Sequence, residues 1–231
     1  IIESAKAIGL ASTEFKNPSK TTTYGVGVII DDALKRTKDI VLALGGSSTN
    51  DGGAGIAAAL GVKFFDKSGE TFIPTGGTLK NIERIDAKNA AKFNLTCMCD
   101  VDNPLCGENG ASYVFGPQKG ADYMMVKDLD DGLKHYAKII KRDVGVDIEN
   151  LKGGGAAGGI AAGTVAFFNA KLTSGIDVML DGTGFDSLLK NAAFVITGEG
   201  KLDSQTLGGK AISGLIRHAK KYDGPVIAIC G

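Results

Sequence analysis

Residues 44 to 53 read LGGSSTNDGG: two glycines, then Ser47, Ser48, Thr49, Asn50 and Asp51 in succession, then two more glycines. Turn chemistry alone accounts for such residues, because Gly, Asn, Asp and Ser supply unusual backbone angles and local hydrogen bonds. A site is the sharper reading. Gly45 and Gly46 let backbone N–H groups approach an anion, the hydroxyls of Ser47, Ser48 and Thr49 add donors, and a helix starting near Gly53 adds its positive end. Asp51 departs from a pure phosphate cradle: a carboxylate there holds a divalent cation, orients a substrate hydroxyl, or caps the helix.

Three more loops carry reactive side chains. In CDVDNPLCGENGA, Asp100 and Asp102 stand one residue apart, so in extended geometry both face one side, as a shared cation or a diol requires; turn chemistry before Pro104 is the alternative. FGPQKGA follows, and its Lys119 reads as a solvated charge. In GGGAAGGIAAG, Gly153, Gly155 and Gly158 spell G-x-G-x-x-G, with Gly154 among them. A dinucleotide fingerprint needs a strand immediately before it, and a long charged helix precedes this one, leaving close packing or an anion-binding helix start. The last loop, TGEGKLDSQTLGGKA, sets Glu199, Lys201, Asp203 and Lys210 beside hydroxyls. It is no P-loop, since Ser204 and Ala211 occupy the outer positions of that pattern around Lys210. Alternating acids and bases do suit phosphoryl transfer, in which cations neutralise phosphate and a carboxylate orients the attacking hydroxyl.

The elements that must hold these loops are short apolar runs. DIVLALG, LTCMCD, IDVMLD, AAFVITG and PVIAICG read as buried strands, and most pass through a polar loop into a helical pattern. Helices are expected in GVGVIIDDALKRT, AGIAAALG, DLDDGLKHYAKIIKRDV, AAGGIAAGTVAFFNA and LGGKAISGLIRHAKKY. Such alternation is the mark of an α/β protein with a mostly parallel sheet, and ligands of such sheets sit beyond the carboxyl ends of the strands. Residues 62 to 86 interrupt the rhythm with hairpin-like pieces. The linker-like DVGVDIENLKGGG suggests a boundary near residue 150. The opening IIESAKAIGL reads as the second half of a helix closing on Gly9, and the last run stops where a strand would enter its loop, so a piece of a longer protein is expected.

Composition removes several classes of function. The 231 residues carry 26 basic and 26 acidic side chains with no long like-charge block, which excludes the footprint of a nucleic-acid binder. The longest apolar stretch is broken by glycines and falls short of the roughly 20 residues of a membrane span. No secretory leader pattern opens the sequence. Cys97, Cys99, Cys106 and Cys230 lack zinc or disulfide-scaffold spacing, so reduced thiols and a cytoplasmic location are expected. His135 and His218 lie in charged helical patterns and read as solvated.

The four loop strings, in their order and spacing, resemble the bacterial glycerate kinases of the two-domain type over essentially the whole sequence. The resemblance implies a flavodoxin-like parallel-sheet domain with a second α/β domain inserted, residues 1 to 150 being mostly the insert and 151 to 231 part of the other. It implies phosphorylation of D-glycerate by ATP, at the 2-hydroxyl, with Mg²⁺ assisting. Composition and charge give no nucleic-acid or membrane partner, and a homodimer is left open. Family members begin with a strand and two further loops that this sequence does not contain. On this reading Asp51, Asp100, Asp102, Asp203 and Lys201 are the catalytic candidates, with Asp100 and Glu199 as metal ligands. Gly45, Gly46, Ser47, Thr49, Asn50, Gly154, Gly155 and Lys210 are the binding candidates. An NAD-type oxidoreductase built on Gly153, Gly155 and Gly158, and a non-catalytic binder of hydroxy-acids, are the rival readings.

Overall fold

The computed structural model describes residues 1–199, 210–222 and 224–230, in two compact units, Ile1–Leu172 and Thr173–Gly231. These two units divide after residue 172. The linker-like glycines are part of the first unit, where the helix that follows them packs into the core through Ile160, Ala161 and Ala162.

The first unit is organised around a sheet of order β1 (Ile2–Glu3), β2 (Asp39–Ala43), β6 (Asn94–Met98) and β7 (Lys171–Thr173). Both β1 and β6 run parallel to β2. The alternation in DIVLA explains the register: Ile40 and Leu42 point into the core opposite Leu95 and Cys97, a face that a one-residue slip would turn to water. The irregular stretch forms a separate antiparallel sheet, with β3 (Lys63–Phe65) between β4 (Thr71–Phe72) and β5 (Arg84–Asp86). Asp66 closes its hairpin by accepting from the backbone of Ser68 and Glu70. This bears out the expectation of hairpin pieces there.

Helices connect these strands: α1 (Ala5–Ile8), α2 (Tyr24–Leu34), α3 (Ala54–Ala59), α4 (Ala111–Phe115), α5 (Tyr123–Asp143) and α6 (Ala156–Phe168). The opening segment corrects the expectation of a continuous helix, since Ile2–Glu3 is a strand and only Ala5–Ile8 is helical before Gly9. In α5 the Asp122 side chain caps Met125 N at 2.8 Å, and Leu129, Leu133, Tyr136 and Ile140 form the buried stripe. The start of α6 is distorted: Ala157, Gly158 and Gly159 all have positive φ, at 54°, 71° and 91°.

The second unit pairs β8 (Val195–Glu199) in parallel with β9 (Val226–Cys230) and adds α7 (Gly175–Gly182), α8 (Phe185–Leu189) and α9 (Lys210–Lys220). The run IDVMLD, expected as a strand, is helical. Its β-branched residues mimic a strand, but Leu180 lies four residues after Ile176, and that spacing lets one face pack against the Gly214 region of α9.

Candidate active site

Because β2 and β6 are adjacent and parallel, the loops at their carboxyl ends emerge together. Gly45, Gly46 and Ser47 from the first loop and Asp100 from the second line one cavity of about 350 Å³, joined by Lys119 and by Ala157 at the distorted start of α6. Two of the strand-exit loops named from the sequence come together within this unit, through Gly45, Gly46, Ser47 and Asp100.

The first loop is held by its neighbours. Ser48 N and Oγ donate to Ile8 O at 2.8 and 2.9 Å, Leu10 N donates to Gly46 O at 2.8 Å, and Thr21 Oγ1 donates to Ser48 O at 3.2 Å. Asp51 is outside the cavity lining and 0% exposed. One of its oxygens accepts from Thr23 N at 2.7 Å, Thr23 Oγ1 at 2.9 Å, Gly55 N at 3.2 Å and Thr22 Oγ1 at 3.3 Å; the other accepts from Gly53 N at 3.1 Å. Burial pushes its carboxyl up from the ordinary carboxylate range, against the lowering effect of the donors on Thr23, Gly55 and Gly53. Asp51 therefore stands off the cavity lining as a fastener of the start of α3, the capping alternative, with the Gly53 and Gly55 N–H groups taken by its carboxylate and Ile56 N by Thr23 Oγ1.

Thr49 and Asn50 are also fully buried and lie off the cavity lining. Asn50 Nδ2 donates to Ser112 Oγ at 3.0 Å, tying the loop to α4. Thr49 contributes its carbonyl, which accepts from Lys119 Nζ at 2.6 Å; Ser47 Oγ accepts from the same ammonium at 3.3 Å.

Lys119 is the residue that sequence reasoning missed. Read as a solvated loop charge, it is 2% exposed and faces the cavity. The turn after it explains the placement: Gly120 has φ of 93°, and a Cβ there would stand 2.4 Å from Lys16 O, so the chain reverses tightly and sends Lys119 inward. A glycine directly after the lysine was the one available signal. Burial lowers the Lys119 pKa from 10.5 to about 8, with Asp51 acting in the opposite direction.

That depression has a definite sign for stability. Below about pH 8 the lysine is protonated in both states; between about 8 and 10.5 the unfolded chain keeps a proton that the folded chain has released, so stability rises with pH across this window. We expect the unfolding free energy of the wild type, less that of Lys119→Met, to rise by about 3 kcal/mol over the window. Chemical denaturation at fixed ionic strength measures it. A flat difference would show that the lysine titrates normally.

The second loop divides its acids. Asp100 is in the cavity lining, whereas Asp102 is on the surface outside it, paired with Lys152 at 3.3 Å. The extended geometry that would align them ends at Met98. Gly154 and Gly155 also stand outside the lining. A Cβ on Gly155 would lie 2.4 Å from Pro104 O and one on Gly158 2.0 Å from Thr49 O, so these glycines serve close packing. No strand precedes them, which removes the dinucleotide-binding rival.

In the second unit Lys201 and Asp203 lie outside the described residues, as do the side chains of Glu199 and Lys210. His218 is not solvated: it is 4% exposed, with Nδ1 at 2.5 Å from Asp186 and Nε2 at 3.3 Å from Asp177. His135 reaches Ile82 O at 2.7 Å. Among the described residues no group of three His, Cys, Asp or Glu side chains is arranged to hold a metal, and no helix is long and apolar enough to cross a membrane.

Comparison with known proteins supplies the context. The model of the glycerate kinase family matches residues 1–231. A glycerate kinase of Halalkalibacterium halodurans is 47% identical over 100% of this chain and 63% of its own length. A glycerate 2-kinase of Escherichia coli K12 is 43% identical over 100% of this chain and 62% of its own. The crystal structure of a proposed glycerate kinase 2 from Salmonella typhimurium LT2 superposes with a TM-score of 0.90 at 43% identity, covering 99% of this chain and 63% of that one. The chain thus spans a little under two thirds of the length of the relatives it matches.

Proposed function

The chain belongs to the glycerate kinase family, and on that premise we propose that the protein carrying it transfers phosphate from ATP to the 2-hydroxyl of D-glycerate. The observation that carries this reading is the convergence of Gly45, Gly46, Ser47 and Asp100 on one cavity at the carboxyl ends of two parallel strands. Phosphoryl transfer asks a protein for positioning and for charge stabilisation rather than covalent chemistry. Gly45 and Gly46 leave the cavity wall without side chains, so backbone can approach an anion, and the Ser47 hydroxyl supplies a polar contact.

Mg²⁺ is bound in such enzymes by one or two carboxylates together with substrate phosphates, and Asp100, the carboxylate that lines the cavity among the described residues, fits that requirement. When bound, the ion neutralises phosphate charge. Asp51 acts as a positioning residue, holding the loop that carries Ser47. On the loop after β8, Lys201 and Lys210 are proposed as phosphate-facing cations, with Glu199 and Asp203 as their carboxylate partners. The β8–β9 pair is offered as part of the flavodoxin-like domain. A cytoplasmic location is part of the same proposal, and it agrees with the lack of a disulfide among the described residues.

The test is a coupled assay of ADP release on the protein at its natural length. Release that depends on D-glycerate, with 2-phosphoglycerate as the product, is the expected outcome. D-glycerate binding without ADP release would mark a non-catalytic binder instead.

A further inference from the structure

We propose that Lys119 holds the substrate oxyanion in the cavity, a carboxylate or phosphate oxygen, through the ammonium N–H that remains after Thr49 and Ser47 are served. The assignment rests on the phosphotransfer reading of the same cavity.

An ammonium group has three N–H donors. Two are directed at Thr49 O and Ser47 Oγ, at 2.6 and 3.3 Å, and both partners are neutral. Among the described residues no carboxylate lies within ion-pair distance of Lys119 Nζ, whereas Lys134, the cation over buried Asp130, sits 2.8 Å from its partner. Asp51 contributes long-range attraction only, its oxygens being engaged by five donors. A buried cation without a counter-ion is unfavourable in itself, and a perturbed titratable group in a cleft is a functional-site candidate. The cavity beside it is open: a Cβ on Gly45 would meet nothing within 4 Å. The depression of Lys119 toward about 8 is what a cation short of an anion shows, and an incoming oxyanion would reverse it. Among the described residues the titratable groups that bear on it are Asp51, and Cys99 and Asp100 in the cavity lining.

A merely structural Lys119, pinning Thr49 to the turn before Gly120, would lower stability when replaced and leave substrate affinity alone. The experiment therefore reads both. Lys119→Met and Lys119→Gln are made in the protein at its natural length, and KM for D-glycerate, KM for ATP and the thermal midpoint are measured. We expect one of the two KM values to rise about 100-fold, with the midpoint unchanged or higher. A rise confined to D-glycerate identifies the carboxylate as the ligand, and one confined to ATP identifies phosphate. Unchanged KM values overturn the proposal whatever the midpoint does. A second readout needs no variant: wild-type kcat/KM for the substrate concerned should fall about tenfold per pH unit above the lysine's pKa, and a level profile there overturns it too. If the wild type releases no ADP, calorimetric titration with D-glycerate and with inorganic phosphate separates the two failures. Binding lost in Lys119→Gln supports the anion site without the activity, and equal binding refutes it.

Discussion

Asp51→Ala should lower stability by about 4 kcal/mol or more and the thermal midpoint by roughly 10 °C, with the loss of activity following from loss of fold. The reason is the direction of the hydrogen bonds. Thr23 N, Gly53 N and Gly55 N can only donate, and the Thr23 hydroxyl donates to the same carboxylate while accepting from Ile56 N at 3.0 Å. Alanine orphans all of them in a fully buried site. Asp51→Asn is the instructive intermediate: its oxygen can serve the Thr23 side, but its NH₂ then faces the Gly53 N–H. A cost of about 2 kcal/mol is expected. Denaturant unfolding should therefore rank wild type above Asn above Ala. An Asn variant with unchanged stability and abolished turnover would return Asp51 to the catalytic role that its loop suggested.

Gly158→Ala is expected to be as severe, at about 4 kcal/mol or more. A Cβ there would lie 2.0 Å from Thr49 O and 2.9 Å from Asn50 Cα, both backbone, and the residue has φ of 71°. Neither neighbour can turn aside as a flexible side chain would. Gly52 N also donates to Gly158 O at 3.0 Å, so the strand-exit loop and the start of α6 are one welded piece. Displacing Thr49 O would remove the anchor of Lys119 as well, so folded protein that remained would bind substrate poorly. Gly182→Ala is the control, since a Cβ there meets nothing within 4 Å. It should be neutral or stabilising by up to about 1 kcal/mol. Equal behaviour of the two variants in thermal unfolding would refute the packing argument.

Adjacent residues of one loop thus perform unlike tasks. Ser47 faces the cavity, Thr49 turns its carbonyl toward a buried ammonium, Asn50 ties α4, and Asp51 fastens α3 to the segment before α2. In the amino-acid sequence these are equivalent polar positions, because side-chain direction in an irregular loop follows no period. Asp100 and Asp102 show the same limit, as the alternation that would place them on one side ends with β6.

Local chemistry by itself determined the alternation of elements, since the apolar runs of β2 and β6 and the stripe of α5 are written in residue spacing. It determined too that the polar loops would sit at strand exits, and its long motif strings pointed to the family. Tertiary structure alone decided which acid would be buried and which exposed, that IDVMLD would wind into a helix, and that Lys119 would come to the cavity from a turn far along the chain. The physical reason is that burial and counter-charge arise between segments distant in sequence. Whether a carboxylate is a ligand or a fastener depends on how many donors the fold brings to it.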